Sequence, residues 1–192
     1  MAPNNFVAAG DTGKLTMKYE TIDQIIEMNA RLGEKLEAFV QDSAPESLSR
    51  KPEDGSWSAA QVLEHLALVE DGMARICAKL LRKAEADGAA SCGIGVSENF
   101  MNGGAKLADI RVKAPEMVEP SGAMPIEDAL LKMRNAHETF VGLKSKFEEF
   151  NASSHTFPHP YLGELTAVEW LVLAGEHKRR HTRQIKNILS VI

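Results

Sequence analysis

Apolar residues recur at helical spacing in four long segments of the chain, and no alternating strand pattern competes with them. The segments cover about residues 17–40, 58–87, 125–147 and 166–189. In each segment the apolar side chains form one stripe along the helix, and such a stripe is buried when helices pack together. The pattern therefore predicts an all-α fold, a four-helix bundle.

Two of these helices carry a recognisable start signal. Ser58 is followed three residues later by Gln61, and Thr166 by Glu169, which is the spacing of a capping box. The third helix is expected to have Pro125 in its first turn, where the missing N–H of proline has no intrahelical partner to lose. These signals place the starts of the second, third and fourth helices.

The connections between the helices differ in length. Residues 88–124 form a long, glycine-rich stretch broken by Pro115 and Pro120, which predicts an irregular crossover between the second and third helices. Such a stretch can cover a site or be a partly disordered insertion, and both interpretations stay open. Residues 151–163 are read as a short polar connection before the fourth helix.

Length and composition fit one globular domain, predicted to span residues 17–192 after a flexible arm of residues 1–16. The chain has 192 residues, of which 44% are hydrophobic and 26% are charged. It has no run of eighteen apolar residues and its start does not look like a secretory signal, so we expect no membrane partner and a cytoplasmic location.

Charge and cysteine content exclude further classes. A net charge of −5 and a pI near 5.7 argue against nucleic-acid partners, because phosphates demand a basic face. The basic run 178–180 is interpreted as a solvated helix face. Cys77 and Cys92 show no metal-binding or disulfide spacing, which fits a reducing compartment.

Two histidines of the fourth helix are candidate metal ligands. His177 and His181 are four residues apart, so their side chains differ by only about 40° around the helix and can reach one ion. This spacing alone is weak evidence. His155 and His159 have the same spacing, but Pro158 excludes a helix there, and we interpret them as turn and cap residues.

A third histidine strengthens the case for a metal. His65 lies within the apolar stripe of the second helix, between Val62 and Val69. Three inward imidazoles without partners would lose hydration on burial, and a metal ion would satisfy all three. On the residues alone, a metal site and hydrogen-bonded core histidines remain equally open. His137 also points inward, where a core role is favoured over lining the cavity.

The sequence resembles the DinB/YfiT-like superfamily over about residues 19–188. The second-helix signature of that family is similar to WSAAQVLEHLALVED, which contains Trp57 and His65. Its last helix resembles HPYLGELTAVEWLVLAGEHKRRHTRQIKNIL, in which the His-x3-His pair is followed by Arg183, Gln184 and Ile185. The segment KAPEMVEP is similar to the connection that precedes the third helix of the family.

The resemblance implies a four-helix bundle with a long link between helices two and three, usually a homodimer. It also implies a divalent metal, nickel or zinc, on the three matching histidines His65, His177 and His181. Members include transferases and isomerases that use low-molecular-weight thiols, metal-dependent hydrolases and proteins of unknown activity. A small-molecule substrate is therefore expected.

Three imidazoles leave a metal coordination position open, as in a catalytic site. Such an ion can activate water for hydrolysis or hold a thiol as its thiolate. No general base is evident, because Glu64 and Glu176 each precede a ligand and point about 100° away from it. We therefore expect a thiol transferase, with a hydrolase or a non-catalytic, metal-stabilised bundle as alternatives. Gln184 can hydrogen-bond a ligand, although packing is the simpler role.

Overall fold

The computed structural model describes residues 19–108 and 113–190. The predicted arm of residues 1–16 lies outside this part of the chain. The helices are α1 (Ile22–Gln41), α2 (Pro45–Ser49), α3 (Ala59–Asp87), α4 (Glu98–Ala108), a 3-10 turn (Glu116–Val118), α5 (Ile126–Gly142), α6 (Lys144–Glu149) and α7 (Ala167–Ser190). Two strands, β1 (Thr156–His159) and β2 (Gly163–Thr166), lie between α6 and α7.

The long helices α1, α3, α5 and α7 form a four-helix bundle, which confirms the predicted fold class. Helix α3 packs against both α5 and α7, while α1 packs against α5 and α7 on the other side. Their apolar stripes meet in two core clusters, one around Leu63, Leu66 and Ile185 and one around Cys77, Leu80 and Leu171. Among the described residues, none of the helices has the length and apolarity that a membrane span requires.

The helix starts follow the capping signals. The Ser58 hydroxyl accepts from the Gln61 N–H and the Gln61 side chain accepts from the Ser58 N–H, so the predicted capping box of α3 is confirmed. The same pair of bonds links Thr166 and Glu169 at the start of α7. Helix α1 begins later than predicted, because Thr21 is extended and its hydroxyl accepts from the N–H of residue 24.

The third helix differs from its prediction at both ends. Pro125 is the cap residue before α5 and does not belong to its first turn. The stripe that was expected to continue to Phe147 is divided at Leu143, where α5 stops and α6 begins. Periodicity could not show this break, because Phe147 on α6 is still buried and keeps the stripe intact.

The prediction that residues 88–124 are irregular is wrong in part, because α4 and the 3-10 turn lie within them. Ser97 precedes α4, and its hydroxyl accepts from the Phe100 N–H while donating to Glu169 of α7. Phe100 is only 2% exposed and belongs to the bundle core. Contacts with α7 therefore stabilise α4, and such contacts leave no periodic signal in a glycine-rich sequence.

The prediction of a polar connection at residues 151–163 also needs correction. Strands β1 and β2 pair antiparallel, with Phe157 opposite Leu165 and His159 opposite Gly163. The ladder tolerates Pro158 because a two-stranded hairpin has free edges where no N–H is required. Leu165 is 1% exposed and anchors the hairpin in the core, so the hairpin lies against the first turns of α7.

Candidate metal centre

Three histidines from two helices converge inside the bundle. One ring nitrogen from each of His65, His177 and His181 lies within 4.8 Å of the other two. The i,i+4 pair on α7 brings its Nε2 atoms to 3.1 Å, and the ring of His65 on α3 lies 5.2 and 5.0 Å from the other two rings. The geometry therefore places all three residues predicted from the sequence in one cluster.

A backbone contact fixes the ring orientation of His65. Its Nδ1 lies 2.7 Å from the carbonyl oxygen of Val118, at the end of the 3-10 turn. A carbonyl only accepts, so Nδ1 carries the proton and Nε2 keeps its lone pair. The ring of Trp57 lies 5.2 Å from His65 and packs on its other side. Sequence reasoning missed Val118, because a backbone partner from a distant turn has no side-chain signature.

The side chain of Gln184 fixes the ring orientation of His181 in the same way. The Nδ1 of His181 lies 2.7 Å from Oε1 of Gln184, one turn further along α7. The amide oxygen accepts the proton of Nδ1, which again leaves the lone pair on Nε2. Gln184 therefore hydrogen-bonds a histidine of the cluster, which the sequence offered as the alternative to a simpler packing role.

His177 differs from the other two, since its Nδ1 is buried without a hydrogen-bond partner among the described residues. Two imidazoles are thus held with Nε2 facing the third, and the third retains an unsatisfied ring nitrogen. A divalent ion fits this donor set, because neutral imidazole is its ordinary ligand at about 2.0–2.1 Å. In a tetrahedral site two such ligands are about 3.4 Å apart, so the 3.1 Å pair of His177 and His181 nearly has this spacing and His65, within 4.8 Å, would move inward.

Burial keeps the cluster uncharged. It lowers the pKa of His65, and together with the neighbouring His65 it lowers the pKa of His181 to about 4. The pKa of His177 falls well below its usual value, first through burial and then through His181, His65, Arg180 and His159. The rings are therefore neutral near pH 7, and no proton competes there for the three nitrogen atoms.

The two glutamates next to the ligands are held by other partners. Both oxygens of Glu64 accept hydrogen bonds from Ser121 and Gly122, which fastens the end of the crossover to α3. Burial opposes ionisation of Glu64, but these bonds outweigh it and lower the pKa. Both oxygens of Glu176 accept from Arg179. Neither carboxylate is therefore free to act as a base at the histidines.

The remaining histidines lie outside the cluster. His137 on α5 is half-buried, which agrees with an inward position, and its Nδ1 has no hydrogen-bond partner among the described residues. It does not belong to the group of three histidines. His155 bonds Asp87 through Nε2, and Nδ1 of His159 accepts from the N–H groups of Tyr161 and Leu162. The predicted turn role is thus confirmed for His159, whereas His155 contacts Asp87 of α3 and caps no turn among the described residues.

Comparison with known proteins identifies the family and supports the fold of the chain. The sequence model of the DinB superfamily matches residues 29–185. The chain belongs to the DinB superfamily. One similar protein is the uncharacterised protein YuaE of Bacillus subtilis (strain 168), which is 26% identical to this chain over 152 residues. The match covers 77% of this chain and 86% of YuaE.

Two solved structures share the bundle. TT2238, a four-helix bundle protein, superposes with a TM-score of 0.59 at 23% identity, covering 87% of this chain and 99% of its own. YfiT from Bacillus subtilis, described as a probable metal-dependent hydrolase with an unusual four-helix bundle topology, gives a TM-score of 0.53 at 17% identity. That match covers 91% of this chain and 89% of YfiT. At these identities the likeness establishes the fold alone.

Proposed function

We propose that the protein is a metal-dependent transferase that uses a low-molecular-weight thiol and acts on an electrophilic small molecule. The proposal assigns a divalent ion, nickel or zinc, to His65, His177 and His181. The observation that carries it is the convergence of three ring nitrogens within 4.8 Å, from residues that stay neutral at neutral pH.

An ion held by three imidazoles would keep an open position, where it lowers the pKa of a water molecule or a thiol. The protein's own contribution is orientation. Val118 and Gln184 hold the protons of His65 and His181 on Nδ1, so that both Nε2 lone pairs face the ion. Hydrogen-bonded partners of this kind fix the tautomer and raise the basicity of a ligand.

Because Glu64 and Glu176 already accept hydrogen bonds from other residues, a thiol is favoured over water as the nucleophile. Hydrolysis at a metal is helped by a nearby base that takes a proton from water, and Glu64 and Glu176 are already hydrogen-bonded elsewhere. A thiol ionises far more readily than water, and metal coordination alone deprotonates it. The three ligands then suffice without an additional base.

The proposal is tested with cobalt(II)-loaded protein and 2-mercaptoethanol. We expect a sulfur-to-metal charge-transfer band that appears on adding the thiol and is missing in His177→Ala. His137→Ala is the matched control, because it removes a buried histidine outside the cluster and should leave the band unchanged. A loaded wild-type protein whose spectrum does not respond to thiols contradicts the proposal.

A metal-dependent hydrolase is the second candidate, and the description of YfiT is the observation that favours it. Ester or amide turnover that disappears on chelation and in His177→Ala would support hydrolysis, and turnover that survives both would exclude it. A non-catalytic bundle is the third. It requires a fourth protein ligand, whereas the described residues supply three, so exchangeable water on the loaded ion argues against it.

We also propose that the protein is a cytoplasmic homodimer without a nucleic-acid or membrane partner. Its acidic net charge and the family resemblance support this assignment. Sedimentation equilibrium of the metal-loaded protein tests the oligomeric state, with twice the 21.0 kDa chain mass as the expected result.

A further inference from the structure

The β1–β2 hairpin brings a histidine and a tryptophan together on the side of α7 that carries the metal cluster. Trp170 lies seven residues before His177, which is about two helical turns, so both side chains leave α7 on the same face. The ring of His159, at the end of β1, lies 5.4 Å from the Trp170 ring. The hairpin therefore lies against the face of α7 from which His177 also projects.

The hydrogen bonds of His159 determine where its proton is. Its Nδ1 accepts from the backbone N–H groups of Tyr161 and Leu162, at 3.2 and 3.1 Å. The proton of the neutral ring must therefore be on Nε2, which donates to none of the described residues. Burial lowers the pKa of His159 to about 4, so the ring is neutral at neutral pH.

Trp170 supplies a second donor without an acceptor. The residue is only 4% exposed, and its Nε1 is fully buried with no hydrogen-bond partner among the described residues. A buried indole N–H ordinarily has a partner, because burial removes the water that would otherwise accept its hydrogen bond. Two N–H groups on this side of α7 thus have no acceptor among the residues that the structure describes.

The same hairpin is tied to the segment that holds His65. The hydroxyl of Tyr161 donates to the carbonyl oxygen of Lys113, and the segment continues to Val118, whose carbonyl accepts from His65. The hairpin and the end of the crossover are therefore linked around the metal cluster. This linkage fixes His159 relative to the three ligands.

The local charges favour an anion as the missing acceptor. Arg180 directly precedes His181 on α7, so the cluster has a positively charged neighbour in the chain. The nearby carboxylates are occupied, since Glu164 accepts from Thr156 and Glu169 accepts from Ser97 and Thr166. A ligand oxygen that carries negative charge would satisfy both free N–H groups.

We propose that His159 Nε2 and Trp170 Nε1 form a carboxylate-binding subsite beside the metal centre. This inference rests on the proposed function for the position of the reacting group, since a ligand would place its thiol or electrophilic end at the three histidines and its carboxylate at the two N–H groups. The carboxylate belongs either to the thiol or to the electrophilic substrate. The subsite makes the protein selective for acidic small molecules.

The test compares mercaptocarboxylates of two to four carbons with mercaptoalcohols of matched length on cobalt-loaded protein. The charge-transfer band measures the dissociation constant of each thiol. If the thiol carries the carboxylate, we expect at least one acid to bind ten times more tightly than its alcohol. His159→Asn keeps an acceptor for the turn but removes the Nε2 donor. Trp170→Phe removes the indole N–H and keeps an aromatic ring at the position. Each should reduce the preference severalfold and leave alcohol binding unchanged.

A second arm distinguishes the other source of the carboxylate and works without metal. In Trp57→Phe protein, Trp170 is the remaining tryptophan, so its fluorescence reports acetate or propionate binding directly. Carboxylate quenching without a preference among the thiols assigns the carboxylate to the electrophilic substrate. Trp57→Phe is also the matched control for Trp170→Phe, because it removes an indole N–H at His65 and should keep any preference.

The two proposals fail separately. Absence of every charge-transfer band overturns the thiol transferase, while the fluorescence arm still decides the subsite. The subsite is overturned if His159→Asn and Trp170→Phe bind acids as well as the wild type does, or if no carboxylate changes either signal.

Discussion

His177 and Lys178 are neighbours on α7 but belong to two buried polar groups of opposite character. Lys178 lies 3.2 Å from Glu70 of α3, and both side chains are at most 5% exposed. Its ammonium group also donates to the backbone carbonyl of Asn29 on α1. The ring of His177, by contrast, contacts the rings of His65 and His181, and its buried Nδ1 has no hydrogen-bond partner in the described part of the chain.

The ion pair of Lys178 and Glu70 is satisfied by residues of the chain itself. In the ion pair, a cation and an anion of the same chain compensate each other, and the backbone of α1 adds a hydrogen bond. Gly175 allows α7 to lie this close to α1, because a Cβ at that position would be only 2.1 Å from Oδ1 of Asn29. The histidine cluster has three converging nitrogens that a cation can bind. We therefore expect the pair to govern stability and the cluster to govern ligand binding.

The largest expected effect comes from breaking the ion pair. Lys178→Met leaves the buried carboxylate of Glu70 without its cation, which should lower the free energy of unfolding by about 3–5 kcal/mol. Urea denaturation followed by circular dichroism measures the loss. The double variant Glu70→Leu/Lys178→Met removes both charges and should recover most of the stability. Equal stability of the single variant and the wild type would show that the pair contributes nothing.

The next prediction concerns the neighbouring residue. Zinc or nickel at a hundredfold excess over its dissociation constant should stabilise the wild-type protein by about 2.7 kcal/mol, because the ion binds the folded state. His177→Ala should lose this gain, while its metal-free stability should fall less than that of Lys178→Met. His137→Ala serves as the control and should retain the gain. Urea denaturation with and without metal measures this stabilisation. If the metal stabilises His177→Ala as much as the wild type, the assignment of His177 as a metal ligand is contradicted.

Sequence patterns predicted the cluster better than they predicted its surroundings. Helix geometry alone sets which side chains share a face, whatever the residue types are. It therefore predicts both the pairing of His177 with His181 and the inward position of His65. Helix α4 and the hairpin depend on contacts with α7, such as Ser97 with Glu169, and distant contacts leave no local period. The hydrogen bond from His65 to Val118 could not be predicted for the same reason, because every residue has a backbone carbonyl and the sequence does not show which one His65 meets.

The buried pair was also missed, although both of its residues were visible. Lys178 belongs to the basic run 178–180, which was interpreted as a solvated face, but it is 4% exposed. Glu70 is 1% exposed. Charge type alone favours the surface for each residue, and only the three-dimensional packing of α3 against α7 shows that they face each other. The interpretation of Lys178 was therefore wrong.

The third prediction is a pH dependence of the metal-free protein. The pKa of each ligand histidine is lower in the folded state than the ordinary value of about 6.5, so the unfolded chain binds more protons below that pH. The free energy of unfolding should therefore fall as the pH drops from about 7 toward 4, by at most about 1.4 kcal/mol per pH unit for each histidine. Above pH 7 these groups should contribute no slope.

Urea denaturation of chelator-treated protein at several pH values between 5 and 7.5 measures this slope. His181→Asn removes the group whose pKa lies at about 4, and its slope should be shallower than that of the wild type. The control is His155→Asn, because that histidine lies outside the cluster and bonds Asp87 at the surface. Identical slopes for wild type and His181→Asn would mean that the cluster is not what couples stability to pH.

The smallest effect is expected where the protein only orients a ligand. Gln184→Leu removes the acceptor of the His181 Nδ1 proton without touching the three ligands. Outer hydrogen-bond partners of metal-bound histidines typically contribute ten- to hundredfold in affinity. We expect about tenfold here, since Gln184 is half-buried and is one of two such partners, beside the Val118 carbonyl. Competition with a chromophoric chelator measures the metal dissociation constant. Gln41→Leu, an exposed glutamine on α1, is the matched control. Unchanged affinity in Gln184→Leu would mean that metal coordination alone sets the tautomer of His181, and the orienting role would then rest on Val118.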